Sequence, residues 1–176
     1  MMTELNLTCA ICFDKHSHIF NDEPSLYCEK CSPLRKAATG TVSHIVDTLY
    51  LGDMESAKTF DGIRMCVHEH GPAYEGQCHF IPVLVKRPNS PLDRTGAVAS
   101  VNALNTAADL IDYHLSRHER LLVHCHGGIE RSPLTIAWYL VNKVKGRATL
   151  QDAYAFLKTK RAVVSERIFW LPQGIT

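Results

Sequence analysis

Residues 121–133 have the sequence LLVHCHGGIERSP, and the fold and the chemistry of the chain both depend on this stretch. It begins with a short apolar run, which predicts a buried strand. It ends at Pro133, a residue type favoured in the first turn of a helix. Gly127 and Gly128 permit a tight path between these two elements. Because loop amides and a helix N-terminus then face one point, the sequence predicts an anion-binding loop.

Cys125 lies inside this predicted loop. The positive potential of the loop amides favours its thiolate, so we predict a depressed pKa and a nucleophilic role. Arg131 follows six residues later and is expected to bind two oxygens of a phosphoryl group through its planar guanidinium group. Ser132 is expected to hydrogen-bond the sulfur and improve it as a leaving group. None of the other cysteines has an arginine at the equivalent spacing, so the pattern is specific.

From residue 41 onward, apolar residues alternate between strand and helix periods. This alternation predicts an α/β fold with a central sheet flanked by helices. The predicted strands cover residues 45–51, 63–67, 80–85 and 121–123, and the predicted helices begin near residues 53, 98, 133, 149 and 165.

The composition describes a soluble globular protein, with 45% hydrophobic and 21% charged residues. A net charge of +1 gives no field that would favour nucleic acid or a membrane as the main partner. The N-terminus lacks the basic start and apolar core of a secretory signal. No apolar run approaches the ~18 residues that a membrane span needs. These features predict a cytoplasmic protein with reduced thiols.

Four of the cysteines crowd the first fifth of the chain. Cys9 and Cys12 form one pair, Cys28 and Cys31 form a second, and each pair has two residues between its members. Such paired knuckles are typical of a tetrahedral four-thiolate Zn²⁺ site. A segment this short has little core, so metal binding would supply its folding energy. We predict a structural zinc site, and the module around it is a candidate for binding a protein or a nucleic acid.

Alternatives to this zinc site remain open at the level of sequence. Two disulfides between the four cysteines are one alternative, and a site in which His16 or His18 replaces one ligand is another. Residues 32–40 have Pro, Gly and charge without an apolar period, which predicts a linker. The sequence thus predicts an N-terminal module at residues 1–40 and a catalytic domain at residues 41–176.

A second, looser group of metal-binding side chains occurs between residues 66 and 79. Its members are Cys66, His68, His70, Cys78 and His79. A further metal site is one interpretation. Ordinary strand and loop residues explain the group more simply.

The pattern HCxxGxxRS at residues 124–132 resembles the phosphate-binding loop of the dual-specificity branch of the protein tyrosine phosphatase superfamily. The resemblance covers about residues 43–171, and residues 45–52 are similar to the opening strand of that family. It implies hydrolysis of phosphate monoesters through a phosphocysteine on Cys125. The implied substrates are phosphotyrosine, phosphoserine and phosphothreonine in proteins, and the chemistry needs no metal.

The same resemblance implies a general acid from a mobile loop before the nucleophile. Asp93 lies in a Pro-containing loop about thirty positions before Cys125 and would protonate the leaving group and later activate water. From the residues alone, Asp93 is equally a turn former or a helix cap. With Arg131, Ser132 and His124, these residues make up the expected catalytic set.

The remaining loop positions, His126, Gly127, Gly128, Ile129 and Glu130, are expected to surround the substrate phosphate. They include no lysine, which counts against a phosphoinositide or an RNA triphosphate. Glu130 is either a salt-bridged carboxylate that points away from the site or an auxiliary or replacement general acid. His126 either steers the substrate or lies at the rim.

Other functions remain as alternatives. The alternative substrates are a phospholipid, a nucleotide or RNA, and the non-enzyme alternative is a phosphate-binding adaptor without turnover. Adaptors of this kind usually lack the cysteine or the arginine, and both are present here. A sulfurtransferase loop would place its cation where this chain has Glu130, so that reading is disfavoured.

Overall fold

The computed structural model of the chain describes residues 7–13, 15–16, 27–90, 93–145 and 149–175. The alternative ligand His18 lies outside these residues, as does Gly146, at which we expect the helix that begins near residue 133 to end.

The described residues form short strands and longer helices. The strands are β1 (Leu7–Thr8), β2 (Lys15–His16), β3 (Ser43–Val46), β4 (Leu49–Gly52), β5 (Ile63–Cys66), β6 (His79–Phe80), β7 (Leu84–Lys86), β8 (Val98–Ala99) and β9 (Leu121–His124). The α-helices are α1 (Cys31–Ala38), α2 (Met54–Thr59), α3 (Val101–Ser116), α4 (Arg131–Lys143) and α5 (Leu150–Lys160), followed by a 3₁₀ turn at Ile168–Trp170.

A five-stranded sheet with the order β3-β4-β9-β5-β6 forms the centre of the fold. Strand β9 lies in its middle and pairs in parallel with both β4 and β5. All four residues of β9 are buried, as expected for a parallel strand covered on both faces. Gly52, Cys66 and His124 are aligned across the three strands, so the ends of these strands meet at one edge, where residue 125 begins the catalytic loop (residues 125–130).

Helices α3, α4 and α5 pack against this sheet and supply most of the core. Their fully buried side chains include Leu104, Ile111, Leu134, Ile136 and Tyr154. Asp53 caps α2 through a reciprocal capping box, as its position predicted, and Thr149 caps α5. The predicted α/β fold with a central sheet flanked by helices is therefore confirmed.

The N-terminal module packs against the catalytic domain through a small apolar cluster. Within the described residues, the cluster contains Cys9, Ile11, Cys28 and Cys31 of the module together with Ile129 and Val163. Ile129 belongs to the catalytic loop, and Val163 follows α5. The module therefore lies directly against the loop that carries Cys125.

The interpretation of residues 32–40 as a linker is wrong, because most of this segment belongs to α1. Only Cys31 of this helix is buried, and its eight residues are fewer than the about 11–18 over which an apolar period can be recognised. Pro33 lies in its first turn, where its missing N–H group has no consequence.

Two strand predictions are also wrong. Residues 45–51 were expected as one strand but form the hairpin of β3 and β4, which turns at Asp47 with a φ of 45°. Aspartate tolerates this left-handed conformation. Residues 80–85 were expected as one strand. They are divided between β6 and β7 around Pro82, and Phe80 and Val85 are 48% and 70% exposed.

Candidate active site

Cys125 follows directly on β9 and is 2% exposed. The Ser132 hydroxyl lies 3.3 Å from its sulfur and donates a hydrogen bond to it. Burial raises the pKa of the Cys125 thiol, but the Arg131 guanidinium, the Ser132 hydroxyl and the N–H groups of Ser132 and Gly128 lower it. The net pKa lies below the ordinary value for a thiol, so the site favours the thiolate.

The catalytic loop turns its carbonyl groups outward. Three of its carbonyl oxygens accept hydrogen bonds from other segments: His126 O from Met54 N (3.1 Å), Gly128 O from Arg161 Nε (3.2 Å) and Ile129 O from Ser165 N (2.8 Å). On the inner side of the loop, the N–H groups of Gly128 and Ser132 hydrogen-bond the Cys125 sulfur. Backbone N–H groups arranged in this way could also bind an anion, as the sequence predicts.

Gly128 is required at its position for two reasons. Its φ of 63° is a left-handed conformation that other residues rarely adopt. A Cβ atom there would also lie 2.5 Å from the carbonyl oxygen of Gly52, which is a backbone atom and cannot move aside cheaply. The close approach of β4 to the catalytic loop therefore depends on this glycine.

Arg131 begins α4 and is oriented by Glu69, a residue that the sequence analysis missed. Its Nε lies 3.0 Å from Glu69 Oε1 and 2.9 Å from Oε2. Burial raises the pKa of Glu69, but the charge and hydrogen bond of Arg131, together with a backbone N–H group, lower it below its usual value, so the carboxylate stays ionised. Because Glu69 binds at Nε, the two terminal nitrogens of Arg131 are oriented to grip a phosphoryl group. Glu69 follows β5, whose end is aligned with that of β9, and this alignment was the only available signal.

His124 is fully buried beneath the loop. Its Nδ1 lies 3.2 Å from Cys125 O, and its Nε2 lies 2.6 Å from the hydroxyl of Tyr74. Burial lowers the pKa of His124 to about 4, so the ring is neutral at physiological pH. A neutral ring that donates from Nδ1 fixes the Cys125 carbonyl, which makes His124 a positioning residue in this geometry.

Asp93 is exposed, and its carboxylate is bonded to residues of its own loop. Its carboxylate accepts hydrogen bonds from the N–H and hydroxyl of Thr95 and from Asn89 Nδ2. These bonds, chiefly that of Thr95, lower the pKa of Asp93. A general acid must carry a proton, so Asp93 needs to leave these partners before it can serve as one.

Glu130 is 9% exposed and lies among arginines. Its carboxylate accepts hydrogen bonds from Arg94 and from the fully buried Arg167, and the latter has N–O distances of 2.9 and 2.6 Å. Arg131 Nη1 lies 3.8 Å from the same carboxylate. Every one of these contacts uses Glu130 as an acceptor, which is the geometry of a salt-bridged carboxylate.

The other loop side chains point in different directions. His126 is exposed, and its ring centroid lies 5.9 Å from that of His68, which is the geometry of a rim residue. Ile129 is 5% exposed and packs among the cysteines, so only its backbone can face a bound anion. Gly127 lies beside Arg35, since a Cβ atom there would be 3.5 Å from the guanidinium group.

The four N-terminal cysteines converge on one point. All four sulfurs lie within 4.8 Å of one another, and the Cys12 and Cys28 sulfurs are 3.8 Å apart. A tetrahedron of sulfurs around Zn²⁺, with bonds of about 2.3 Å, has edges of about 3.8 Å. Phe13 N donates to Cys9 O, and Cys31 N donates to Cys28 O, each at 3.0 Å, so both pairs form the tight turns expected of knuckles.

These cysteines fit a metal site and not a disulfide framework. All seven cysteines of the chain lie in the described residues, and none forms a disulfide. The looser group at residues 66–79 does not converge in the same way. In the part of the chain that the structure describes, the quartet is the one group of His, Cys, Asp or Glu side chains with ligand-like spacing. Cys78 instead contacts Tyr74, and His79 contacts His114.

Comparison with known proteins decides the family. The model of the family "Dual specificity phosphatase, catalytic domain" matches residues 76–173. The chain belongs to the dual specificity phosphatases. The match contains the catalytic loop, Arg131 and the loop that carries Asp93.

Curated relatives agree with this assignment. Dual specificity protein phosphatase 2 of Mus musculus is 27% identical over 137 residues, which cover 73% of this chain and 40% of that protein. Dual specificity protein phosphatase 1 of Homo sapiens is 33% identical over 69 residues, covering 39% of this chain and 18% of that protein. The chain spans about two fifths of the length of the relatives that it matches over most of its own length.

Solved structures show the same fold. The human tyrosine phosphatase-like serine/threonine/tyrosine-interacting protein has a TM-score of 0.58 at 17% identity and covers 73% of this chain and 89% of its own. DUSP15 has a TM-score of 0.58 at 20% identity, with coverages of 73% of this chain and 81% of that chain.

Among the described residues, no helix combines the length and apolar character that a bilayer crossing requires.

Proposed function

We propose that this chain hydrolyses phosphate monoesters through a phosphocysteine intermediate on Cys125. The observation that carries this proposal is the environment of the sulfur. It lies at the centre of an anion nest, accepts a hydrogen bond from Ser132, and has a pKa lowered by Arg131. A buried thiol with these partners is a nucleophile and has little role as a core residue.

In the first step, the Cys125 thiolate attacks phosphorus, so an S–P bond forms as the P–O bond to the leaving group breaks. The loop amides and the terminal nitrogens of Arg131 stabilise the equatorial oxygens in the transition state. Asp93 delivers a proton to the departing oxygen after its loop has turned the carboxyl group inward. This proton transfer contributes about 10²- to 10⁴-fold to the rate.

In the second step, water attacks the phosphocysteine. Asp93, now ionised, takes a proton from that water, and the S–P bond breaks to release inorganic phosphate and the Cys125 thiolate. The Ser132 hydroxyl, 3.3 Å from the sulfur, stabilises the thiolate as it departs. No metal takes part in either step, since the amides and Arg131 carry the charge.

We further propose that the substrates are phosphorylated proteins carrying phosphotyrosine, phosphoserine or phosphothreonine. The relatives are named dual specificity protein phosphatases, which supports this class of substrate.

We assign Zn²⁺ to the cysteine quartet, as a structural ion, on the basis of the four convergent sulfurs. Free thiols in this number fit a reducing compartment such as the cytoplasm.

The test is a set of variants assayed with p-nitrophenyl phosphate. Cys125→Ser is expected to abolish hydrolysis while binding of vanadate stays measurable, because the nest and Arg131 remain. Arg131→Lys is expected to lower kcat/KM by about 10²- to 10³-fold. Arg117→Lys, at an exposed helix end, is the matched control and should retain full activity. Hydrolysis that survives in Cys125→Ser would refute the proposed mechanism.

A further inference from the structure

Arg167 joins the N-terminal module to the catalytic loop. It is fully buried, and its guanidinium group donates to Glu130 of the loop from both Nε and Nη2. The same Nη2 donates to the carbonyl oxygen of Ala10, at 2.9 Å, and Nη1 donates to Ser165 Oγ, at 2.7 Å. Ala10 lies between two of the quartet cysteines. A single buried cation thus contacts both the catalytic loop and the metal-binding turn.

Ser165 makes a second connection between the same two parts. Its N–H donates to Ile129 O of the loop at 2.8 Å, and its hydroxyl donates to Ile11 O of the module at 3.2 Å. The Ile129 side chain packs in the apolar cluster with Cys9 and Cys28. Two successive loop residues, 129 and 130, are therefore bonded to Ser165 and Arg167, and these two side chains also bond to carbonyl groups of the module.

The connection reaches the loop of the proposed general acid as well. Arg94, the residue after Asp93, donates to the Glu130 carboxylate. Its carbonyl oxygen accepts a hydrogen bond of 2.8 Å from Trp170 Nε1. Glu130 thereby links the acid loop to Arg167 and, through it, to Ala10.

We propose that Arg167 is a positioning residue that makes the metal-bound N-terminal module a structural part of the catalytic site. The inference rests on the proposed function. Metal in the quartet holds the turn at residues 9–12, and this turn holds Arg167 and Ile129 in place. Without metal the short module lacks the core to keep that turn. The buried guanidinium then loses an acceptor, and Glu130 and the adjoining loop amides lose their fixed orientation.

The experiment uses the full chain, loaded with Zn²⁺ or stripped by a chelator. Alkylation of Cys125 by iodoacetamide is followed across pH by mass spectrometry of the peptide that contains Cys125. Thiols of the quartet that metal removal frees then do not interfere with the measurement. Stripping is expected to shift the alkylation profile to higher pH and to lower kcat/KM for p-nitrophenyl phosphate by about 10- to 100-fold. Reloading with Zn²⁺ is expected to restore both.

Variants separate Arg167 from a general effect of metal loss. Ser165→Ala removes one partner of Arg167 and one bond to the module, and it should shift the alkylation profile while zinc content stays at one ion per chain. Arg167→Met should shift it further, and Arg167→Lys should recover part of the loss. Arg117→Met, an exposed arginine on another face, is the control and should leave the profile unchanged. If Arg167→Met does not fold, Ser165→Ala and the stripped wild type decide the matter.

The outcomes distinguish this inference from the proposed function. An alkylation profile and a kcat/KM that are both unchanged after complete metal removal would overturn the coupling and leave the phosphocysteine mechanism intact. An identical alkylation profile in Ser165→Ala and wild type would show that Arg167 and its partners do not couple the module to the catalytic loop. A Cys125 that resists alkylation near neutral pH even in the loaded protein would instead overturn the proposed function itself.

Discussion

The catalytic domain and the N-terminal module differ in what holds them together. The domain buries a large apolar core between a five-stranded sheet and its helices. The module has a small cluster in which three of the buried residues are cysteines, and two further members, Ile129 and Val163, belong to the domain. Burial stabilises the domain, whereas we expect the module to need a metal ion and a neighbour. Because Ile129 packs in the cluster of the module, we expect a disturbance of the module to affect the catalytic loop.

The largest expected effect tests the core of the catalytic domain. Ile136 on α4 is fully buried, so Ile136→Ala should lower the free energy of unfolding by about 2–5 kcal/mol. Urea denaturation with and without a chelator would measure it. Because burial and not metal stabilises this region, the loss should be similar in both conditions. Val85→Ala, at a site that is 70% exposed, is the control and should stay within about 0.5 kcal/mol of wild type. A cost that vanishes after metal removal would contradict the division into two regions.

The next effect concerns pH. Burial lowers the pKa of His124 from 6.5 to about 4. The unfolded chain therefore takes up the proton first, so stability from the neutral ring is present above pH 6.5 and is lost as pH falls toward 4. The loss amounts to about 2–4 kcal/mol. Urea unfolding of metal-stripped protein between pH 7 and pH 4 would measure it without interference from zinc release.

A matched pair of histidine variants sharpens this prediction. Burial, and then Arg131, also lower the pKa of His68 to about 4. His124→Gln and His68→Gln should each flatten the pH dependence, whereas His44→Gln, at an exposed site on β3, should not. A slope that His124→Gln leaves unchanged would show that the ring is protonated in the folded protein.

The sequence predicted where Cys125, Arg131 and Ser132 lie far better than it predicted the side chains that hold them. These three residues lie within one short stretch, and a strand, a Gly-containing turn and a helix determine their placement locally. Glu69 and Arg167 come to the same site only through the pairing of β5 with β9 and through the packing of the module. No local pattern encodes such contacts. Helix α1 was missed for a different reason, since its eight residues are too few to show a helical period.

Glu69 offers a smaller effect on the domain side of the comparison. Glu69→Gln keeps the shape of the side chain but removes the charge that orients Arg131, so kcat for p-nitrophenyl phosphate should fall by about tenfold. Zinc content should not change, because Glu69 follows β5 in the catalytic domain and forms its ion pairs with His68 and Arg131. Glu55→Gln, which removes an exposed partner of Lys58, is the control and should retain full activity. Full activity of Glu69→Gln would mean that other contacts suffice to orient Arg131.

The smallest effect tests the outer contact of the module. Phe13 is 41% exposed, and its ring lies 4.4 Å from the guanidinium carbon of Arg167. A cation–π contact at an exposed site contributes about 0.5–1 kcal/mol, so Phe13→Leu should speed the transfer of zinc to a chromophoric chelator by about two- to fivefold. Tyr113→Leu removes a comparable contact with Arg117 on α3 and should leave the rate unchanged. Equal rates in the two variants would show that the contact between Phe13 and Arg167 does not help to hold the module. Arg167 would then hold the module through Ala10 and Ser165 alone.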